Sequence, residues 1–188
     1  MKYYNHTKGQ LLQRIMELEF LNKRLAVQND ILKELLILAD FTKMSNQRSL
    51  VSFLRSELKD ADKNPLCIVI FDIDNFKRIN DTKGHVYGNA ILTRVEQIIQ
   101  DNIREPDLLG WFGDDQLMVI FKNTDLIVAQ GMAERIRRVV EETVFLDGLR
   151  ITISSGIKQY NSETLMDLIH FADMNLYTAK GHGKNRIR

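Results

Sequence analysis

The chain has 188 residues, 44% of them hydrophobic, and a formal net charge of +1. That is enough for one ordinary domain with a real core plus an accessory element, and it excludes a disordered chain. The near-neutral balance gives no reason to invoke nucleic acid or an anionic membrane. The sequence contains neither a run of 18 apolar residues nor a signal-like leader, so the expected location is cytoplasmic. The single cysteine, Cys67, sits in the apolar run Cys67-Ile68-Val69-Ile70-Phe71 and reads as a buried strand thiol.

From about Lys8 to Leu38 the pattern is helical, with no proline and no glycine after Gly9. Leu11, Leu18, Leu25 and Leu32 recur every seven residues. Leu21 and Leu35 follow two of them by three, while Arg14 and Gln28 interrupt the second row. At about 1.5 Å per residue such a helix runs on the order of 40 Å, long for packing wholly on a small domain. Residues 1–38 are therefore expected to form a coiled-coil helix that makes a homodimer. A long helix folded against its own domain is the alternative.

From Ala39 the pattern alternates, and residues 39–188 are expected to form one α/β domain, an α+β sandwich with a central sheet flanked by helices. Helices are predicted over Gln47–Lys59, Asn89–Asn102, Leu126–Glu142 and Ser162–Thr178. Strands are predicted over Cys67–Asp72 and Arg150–Ser154. A hairpin is expected where Gly113-Asp114-Asp115-Gln116 separates two apolar runs between Leu109 and Phe121.

Several stretches carry chemistry. Phe71-Asp72-Ile73-Asp74-Asn75-Phe76-Lys77 runs on to Asn80-Asp81-Thr82-Lys83-Gly84-His85 and places Asp72 at a strand end. By themselves such acids are commonly turn formers and helix caps. With Ile153-Ser154-Ser155-Gly156-Ile157, with Ala172-Asp173 through Lys184-Asn185, and with the Gly113–Leu117 turn, the string resembles the GGDEF family of bacterial diguanylate cyclases over roughly residues 39–188. The resemblance implies a nucleotidyl cyclase-like fold. It also implies a sheet edge that holds GTP and magnesium, where two domains meet face to face and each 3′-hydroxyl attacks the other nucleotide's α-phosphate. By position, Asp72 and Asp115 correspond to the metal carboxylates, Asn80 faces guanine, Lys180 binds phosphate, and Lys184 stands where an arginine is usual.

Several positions depart from the family pattern. Asp114 replaces the second glycine of the turn, Gln116 replaces the signature glutamate beside Gly113 and Asp115, and Asn89 replaces an aspartate that reads guanine. Trp111 stands for an arginine. Phe41 to Arg48 is a worn version of an upstream turn, with Lys43 for glycine. A carboxylate about 4 Å from a phosphate at an effective dielectric near 20 costs about 4 kcal/mol per charge pair. These departures lead to the expectation of a catalytically inactive, degenerate domain whose remnant site needs no metal.

The last stretch, Arg104-Glu105-Pro106-Asp107, is similar to the family's product-binding Arg-x-x-Asp motif, and Arg135 stands where a secondary arginine sits. Taken alone, an arginine and aspartate three apart are often a plain surface pair. With the resemblance, Arg104, Asp107 and Arg135 are the expected cyclic di-GMP site, because guanidinium groups suit phosphate and guanine N7/O6 while a carboxylate accepts from N1–H and N2–H. The expected role is a cyclic di-GMP receptor that signals to an unidentified partner protein. A nucleotide-independent scaffold and a weakly active cyclase are the alternatives.

Overall fold

The structure is a computed structural model that describes the backbone of residues 8–59, 61 and 64–188, and side chains over 9–25 and from 47 onward within that range. The chain divides into two units, Met1–Thr42 and Lys43–Arg188. Helix α1 covers Lys8–Glu57. Its backbone is helical through residues 41–48, where the resemblance implied a turn. With Lys43 where the family has glycine, and neither glycine nor proline from residue 10 to 64, nothing in the sequence breaks the helix. In the first unit Leu11, Leu18, Leu21 and Leu25 are all about half exposed on the single chain, and Arg14 pairs with Glu17 at 2.8 Å. The side chains of Gln28, Leu32 and Leu35 lie outside the described residues.

The second unit is built on one antiparallel sheet. Its strands are β1 (Leu66–Ile73), β2 (Leu108–Trp111), β3 (Gln116–Lys122) and β4 (Ile153–Gln159), in the order β2-β3-β1-β4. All eight residues of β1 are buried, because helices cover both faces of the sheet. Cys67, Val69, Phe71 and Ile73 point to one side, with Val119 and Phe121 of β3. They pack against α3 (His85–Asp101) and α4 (Leu126–Glu142) through Ile91, Val95, Ile99, Ala133, Ile136 and Val140. Leu66, Ile68 and Ile70 point to the other side and meet Leu50 and Leu54 of α1, and Leu168, Ala172 and Leu176 of α5 (Leu165–Gly181). The period of two in β1 thus feeds two cores at once. This is the expected α+β cyclase-like architecture.

Helix α4 has the predicted bounds, with Asp125 capping its first turn through Val128 N–H at 2.9 Å. Other predictions need correction: the helix predicted from Asn89 starts at His85, and the one predicted over Gln47–Lys59 is the end of α1. Strand β4 starts at Ile153 and runs on to Gln159, rather than covering Arg150–Ser154. Its middle is Ser154-Ser155-Gly156, small buried residues that give no apolar alternation to read. A short helix, α2 (Phe76–Lys83), was not predicted; only Phe76 in it is buried, so its polar sequence carries no periodic stripe.

Cys67 is buried, and its thiol donates to the Thr124 carbonyl at 3.3 Å. Burial, reinforced by Asp125, pushes its pKa up to about 12, so it stays a neutral core thiol.

Candidate functional site

The candidate residues gather at two places on the second unit. The first is the sheet edge where β1 ends and β3 begins. Antiparallel register puts Asp72 opposite both Gln116 and Ser154. The turn joining β2 to β3 is closed by Phe112 N–H donating to the Gln116 carbonyl at 2.9 Å, and Gln47 of α1 donates to the Phe112 carbonyl at 2.7 Å. Lys180, in the last turn of α5, reaches the same edge and pairs with Asp72 at 2.6 Å. Gln116 Nε2 donates to the same Asp72 oxygen at 3.3 Å.

The other Asp72 oxygen is buried without a hydrogen-bond partner. Burial pushes the Asp72 carboxyl above its ordinary range, Lys180 opposes that shift, and the nearby charge of Asp115 adds to it. The edge therefore has two acids close enough to interact and one carboxylate oxygen free to coordinate. Among the described residues no group of three acids, histidines or cysteines is arranged to hold a metal. The donor set fits a hard cation held by Asp72 and Asp115 and completed by water and phosphate oxygens, the usual habit of magnesium.

Asp114 is exposed at the tip of the turn, so its charge faces bulk water. There the repulsion estimated above falls toward about 1 kcal/mol. Asn80 on α2 turns its Oδ1 toward α3 and leaves that atom buried and unbonded. A Cβ on Gly88 would lie 1.8 Å from it, so glycine at 88 gives the Asn80 amide its place. Asn89, the neighbouring candidate on α3, is exposed. Lys184 follows α5 and donates to Asn75 Oδ1 on the loop between β1 and α2. Trp111 is buried on the α3 side of the sheet, and its indole N–H meets Glu96 at 3.2 Å.

Sequence reasoning passed over Asp74, which the fold makes central to this edge. It is buried and accepts from Thr152 Oγ1 at 2.6 Å, Ser154 Oγ at 2.7 Å and Asn185 N–H at 3.0 Å. Its partners lie 78 to 111 residues away, a distance that no local pattern reveals.

The second place is the turn after α3. Arg104 and Asp107 bond closely there. Asp107 Oδ2 accepts from Arg104 N–H and Nε at 3.1 Å, and Oδ1 accepts from Arg104 Nη2 at 3.1 Å and Lys122 N–H at 3.2 Å. Arg104 Nη2 also donates to Thr124 Oγ1 at 2.7 Å. The Asp107 side chain is fully buried, whereas that of Arg104 is 47% exposed. Asp107 is thus a structural hub in this conformation, and Arg104 is the group presented to solvent. Arg135 of α4 donates to the Asn102 carbonyl at 2.7 Å, which brings it beside this turn. All three sequence-derived candidates converge.

The fold and the edge define a cyclase-like α+β domain, and comparison with known proteins gives its family. Residues 38–186 match the family described as diguanylate cyclase, GGDEF domain, and the chain belongs to that family. Diguanylate cyclase A of Treponema denticola is 39% identical over 130 residues, covering 66% of this chain and 35% of that protein. The active GGEEF domain of a Vibrio cholerae diguanylate cyclase superposes with a TM-score of 0.73 at 30% identity, covering 76% of this chain and 94% of that one. The GGDEF domain of Caulobacter crescentus DgcB, solved in complex with c-di-GMP, gives 0.72 at 26%, covering 76% and 88%. The chain spans about a third of the length of the curated relatives it matches.

These relatives correct one expectation. The departures at Asp114, Gln116 and Asn89 led to an inactive protein, but relatives at 35–39% identity are named diguanylate cyclases and point to an enzyme. At the edge, Asp114 and Asn89 are exposed, Gln116 bonds Asp72, and the carboxylates Asp72 and Asp115 remain close enough to interact. No helix among the described residues is long and apolar enough to cross a membrane.

Proposed function

We propose that this protein makes cyclic di-GMP from GTP at the β1–β3 edge and binds cyclic di-GMP at the Arg104–Asp107 turn. The observation that supports the first half most is Asp72, a buried carboxylate with one oxygen on Lys180 and one oxygen free. Asp72 and Asp115 would hold magnesium, which when bound neutralises triphosphate charge. Lys180 and Lys184 supply positive charge for phosphate on either side of the β1–α2 loop. Asn80 lies at the face of α3 with its carbonyl oxygen packed against Gly88, and its amide would have to turn outward to accept from a guanine N–H. Joining two GTP molecules needs two domains face to face. The half-exposed leucines of α1 support a coiled-coil homodimer as the element that brings them together.

The second half rests on Arg104, whose guanidinium is half exposed while pinned in orientation by Asp107 and Thr124. Its Nε and Nη2 are taken by Asp107, Thr124 and the Lys122 carbonyl, so a phosphate or the guanine N7/O6 edge would meet the remaining N–H groups of an already oriented guanidinium, which loses little freedom on binding. Binding there requires no metal, and the site lets the protein report cyclic di-GMP to a partner protein.

Two measurements test this reading. In calorimetry, cyclic di-GMP should bind with micromolar or tighter affinity, about −8 kcal/mol or better. Arg104→Ala should weaken it roughly tenfold or more, through loss of a charged fork. Arg135→Ala should weaken it less, and Asp72→Ala should leave it within about twofold, an ordinary margin for a distant site. Asp107→Ala should instead cost about 1–3 kcal/mol of stability, because it leaves the Lys122 N–H without its acceptor and takes the main partner from the half-exposed Arg104. Loss of binding in Asp72→Ala with Arg104→Ala unaffected would move the ligand to the other site.

Light scattering tests the assembly. The intact chain should be a dimer, and Leu18→Glu with Leu25→Glu should make it a monomer by placing like charges in the seam. A monomeric wild-type chain rules the coiled coil out.

A further inference from the structure

The turn after α5 is unusual. Gly183, Lys184 and Asn185 are consecutive residues with positive φ, at 107°, 63° and 48°. Asn185 tolerates this region as asparagine commonly does, but Lys184 carries a side chain that disfavours it, so the surroundings must hold the turn in place. Asn185 is held on three sides. Its N–H donates to Asp74 Oδ2 at 3.0 Å, its Nδ2 to Glu141 Oε1 at 2.7 Å, and its Oδ1 accepts from Arg137 Nη1 at 2.6 Å.

Arg137 is itself nearly buried, with 11% of its side chain exposed, and is fixed by a fork to Glu134 and a second contact to Glu141. Those bonds hold the Glu134 carboxyl down at about 2. After the turn, Arg186 Nε donates to the Lys184 carbonyl at 2.9 Å, and the chain end lies along β4 through Ser155 and Ile157. The result of these contacts is that Lys184 Nζ rests on Asn75, at the loop where β1 delivers Asp72.

We infer that Arg137 and Asn185 are positioning residues for the triphosphate: Arg137, from α4, locks Asn185, and Asn185 sets the turn that places the Lys184 ammonium beside the β1–α2 loop. This rests on the reading of that edge as the GTP site. Neither residue touches the reacting atoms. Each acts through Lys184 and Asp74, and the arrangement demands geometry as well as charge, since one guanidinium must reach Glu134, Glu141 and Asn185 together.

The test uses the full chain and the α,β-methylene analogue of GTP with magnesium. Asn185→Ala and Arg137→Ala should weaken analogue binding about tenfold, in line with a lost charge-assisted contact. Arg137→Lys should not rescue it, and Arg138→Ala, on the exposed partner of Glu134, should bind like wild type. Cyclic di-GMP binding should be unchanged in Asn185→Ala, and hydrogen exchange of the amides over 183–188 should speed up. If Arg137→Ala fails to fold, Asn185→Ala carries the test, because it removes only two side-chain bonds at the chain end. Wild-type binding with Asn185→Ala within twofold of it, or with unchanged exchange over 183–188, overturns the positioning role alone. A wild-type chain that does not bind the analogue overturns the nucleotide reading of the edge and this inference with it.

Discussion

Gly156→Ala is expected to destabilise the domain by about 3 kcal/mol or more, a cost typical of overpacking against immovable atoms. Gly156 lies mid-strand in β4, opposite Ile70 of β1. A Cβ built there would sit 2.0 Å from the Ala172 carbonyl oxygen and 2.2 Å from the Leu176 nitrogen. Both are backbone atoms inside α5, so no side-chain rotation relieves the clash. The helix would have to lift off the sheet, opening the core of Ile68, Ile70, Leu168 and Leu176. The same helix carries Lys180, so its contact with Asp72 should weaken too. At this size a loss of that order lowers the melting temperature by on the order of 10 °C. Gly131→Ala is the matched control: it lies in α4 with nothing within 4 Å of its Cβ, and should stabilise by about 0.5–1 kcal/mol through helix propensity. A Gly156→Ala melt that overlays wild type would mean that α5 does not press on β4 as described.

How much of this was legible in the sequence depends on how local each signal is. β1 and the hairpin could be read because their apolar runs are short and bounded by turn residues, and α4 because its helical pattern is clean over the whole element. Helix α2 could not, since one buried phenylalanine makes no period. The edge acids Asp72 and Asp115 and the lysines Lys180 and Lys184 were found through resemblance, which compresses long-range geometry into motif letters. Asp74, Arg137 and Asn185 escaped because their value lies in pairings 48 to 111 residues apart. The expectation of inactivity failed for a related reason. It weighed the charge of Asp114 at the strength of a partly buried pair, whereas the residue is exposed at the tip of the turn, where water screens it.

Asp72 and Gln116 together give the largest functional prediction. Wild-type chain with magnesium and GTP should form cyclic di-GMP, and Asp72→Ala should lower the rate about a thousandfold or more, roughly 4 kcal/mol of transition-state stabilisation. Gln116→Glu should raise it several-fold. Gln116 now donates one N–H at 3.3 Å to the Asp72 oxygen that Lys180 also holds, so it presents a donor rather than an oxygen ligand toward a cation on the other Asp72 oxygen. Glutamate there supplies a third acid beside Asp72 and Asp115, a better oxygen set for a hard cation. The same change has a cost without metal, and its sign can be worked out. The Asp72 carboxyl is already raised in the folded state, chiefly by burial. An acid whose folded value lies above its unfolded value loses stability as pH rises from the unfolded value through the folded one. A second carboxylate 3–4 Å away should raise it further, by the like-charge effect. Metal-free Gln116→Glu should therefore melt below wild type at neutral pH and recover at acid pH, and magnesium should restore it more than it raises wild type. Melting curves with and without magnesium at two pH values check this independently of turnover. If the variant shows no added response to magnesium and no gain in rate, Asp72 and residue 116 do not share a cation, and the assignment of this edge fails.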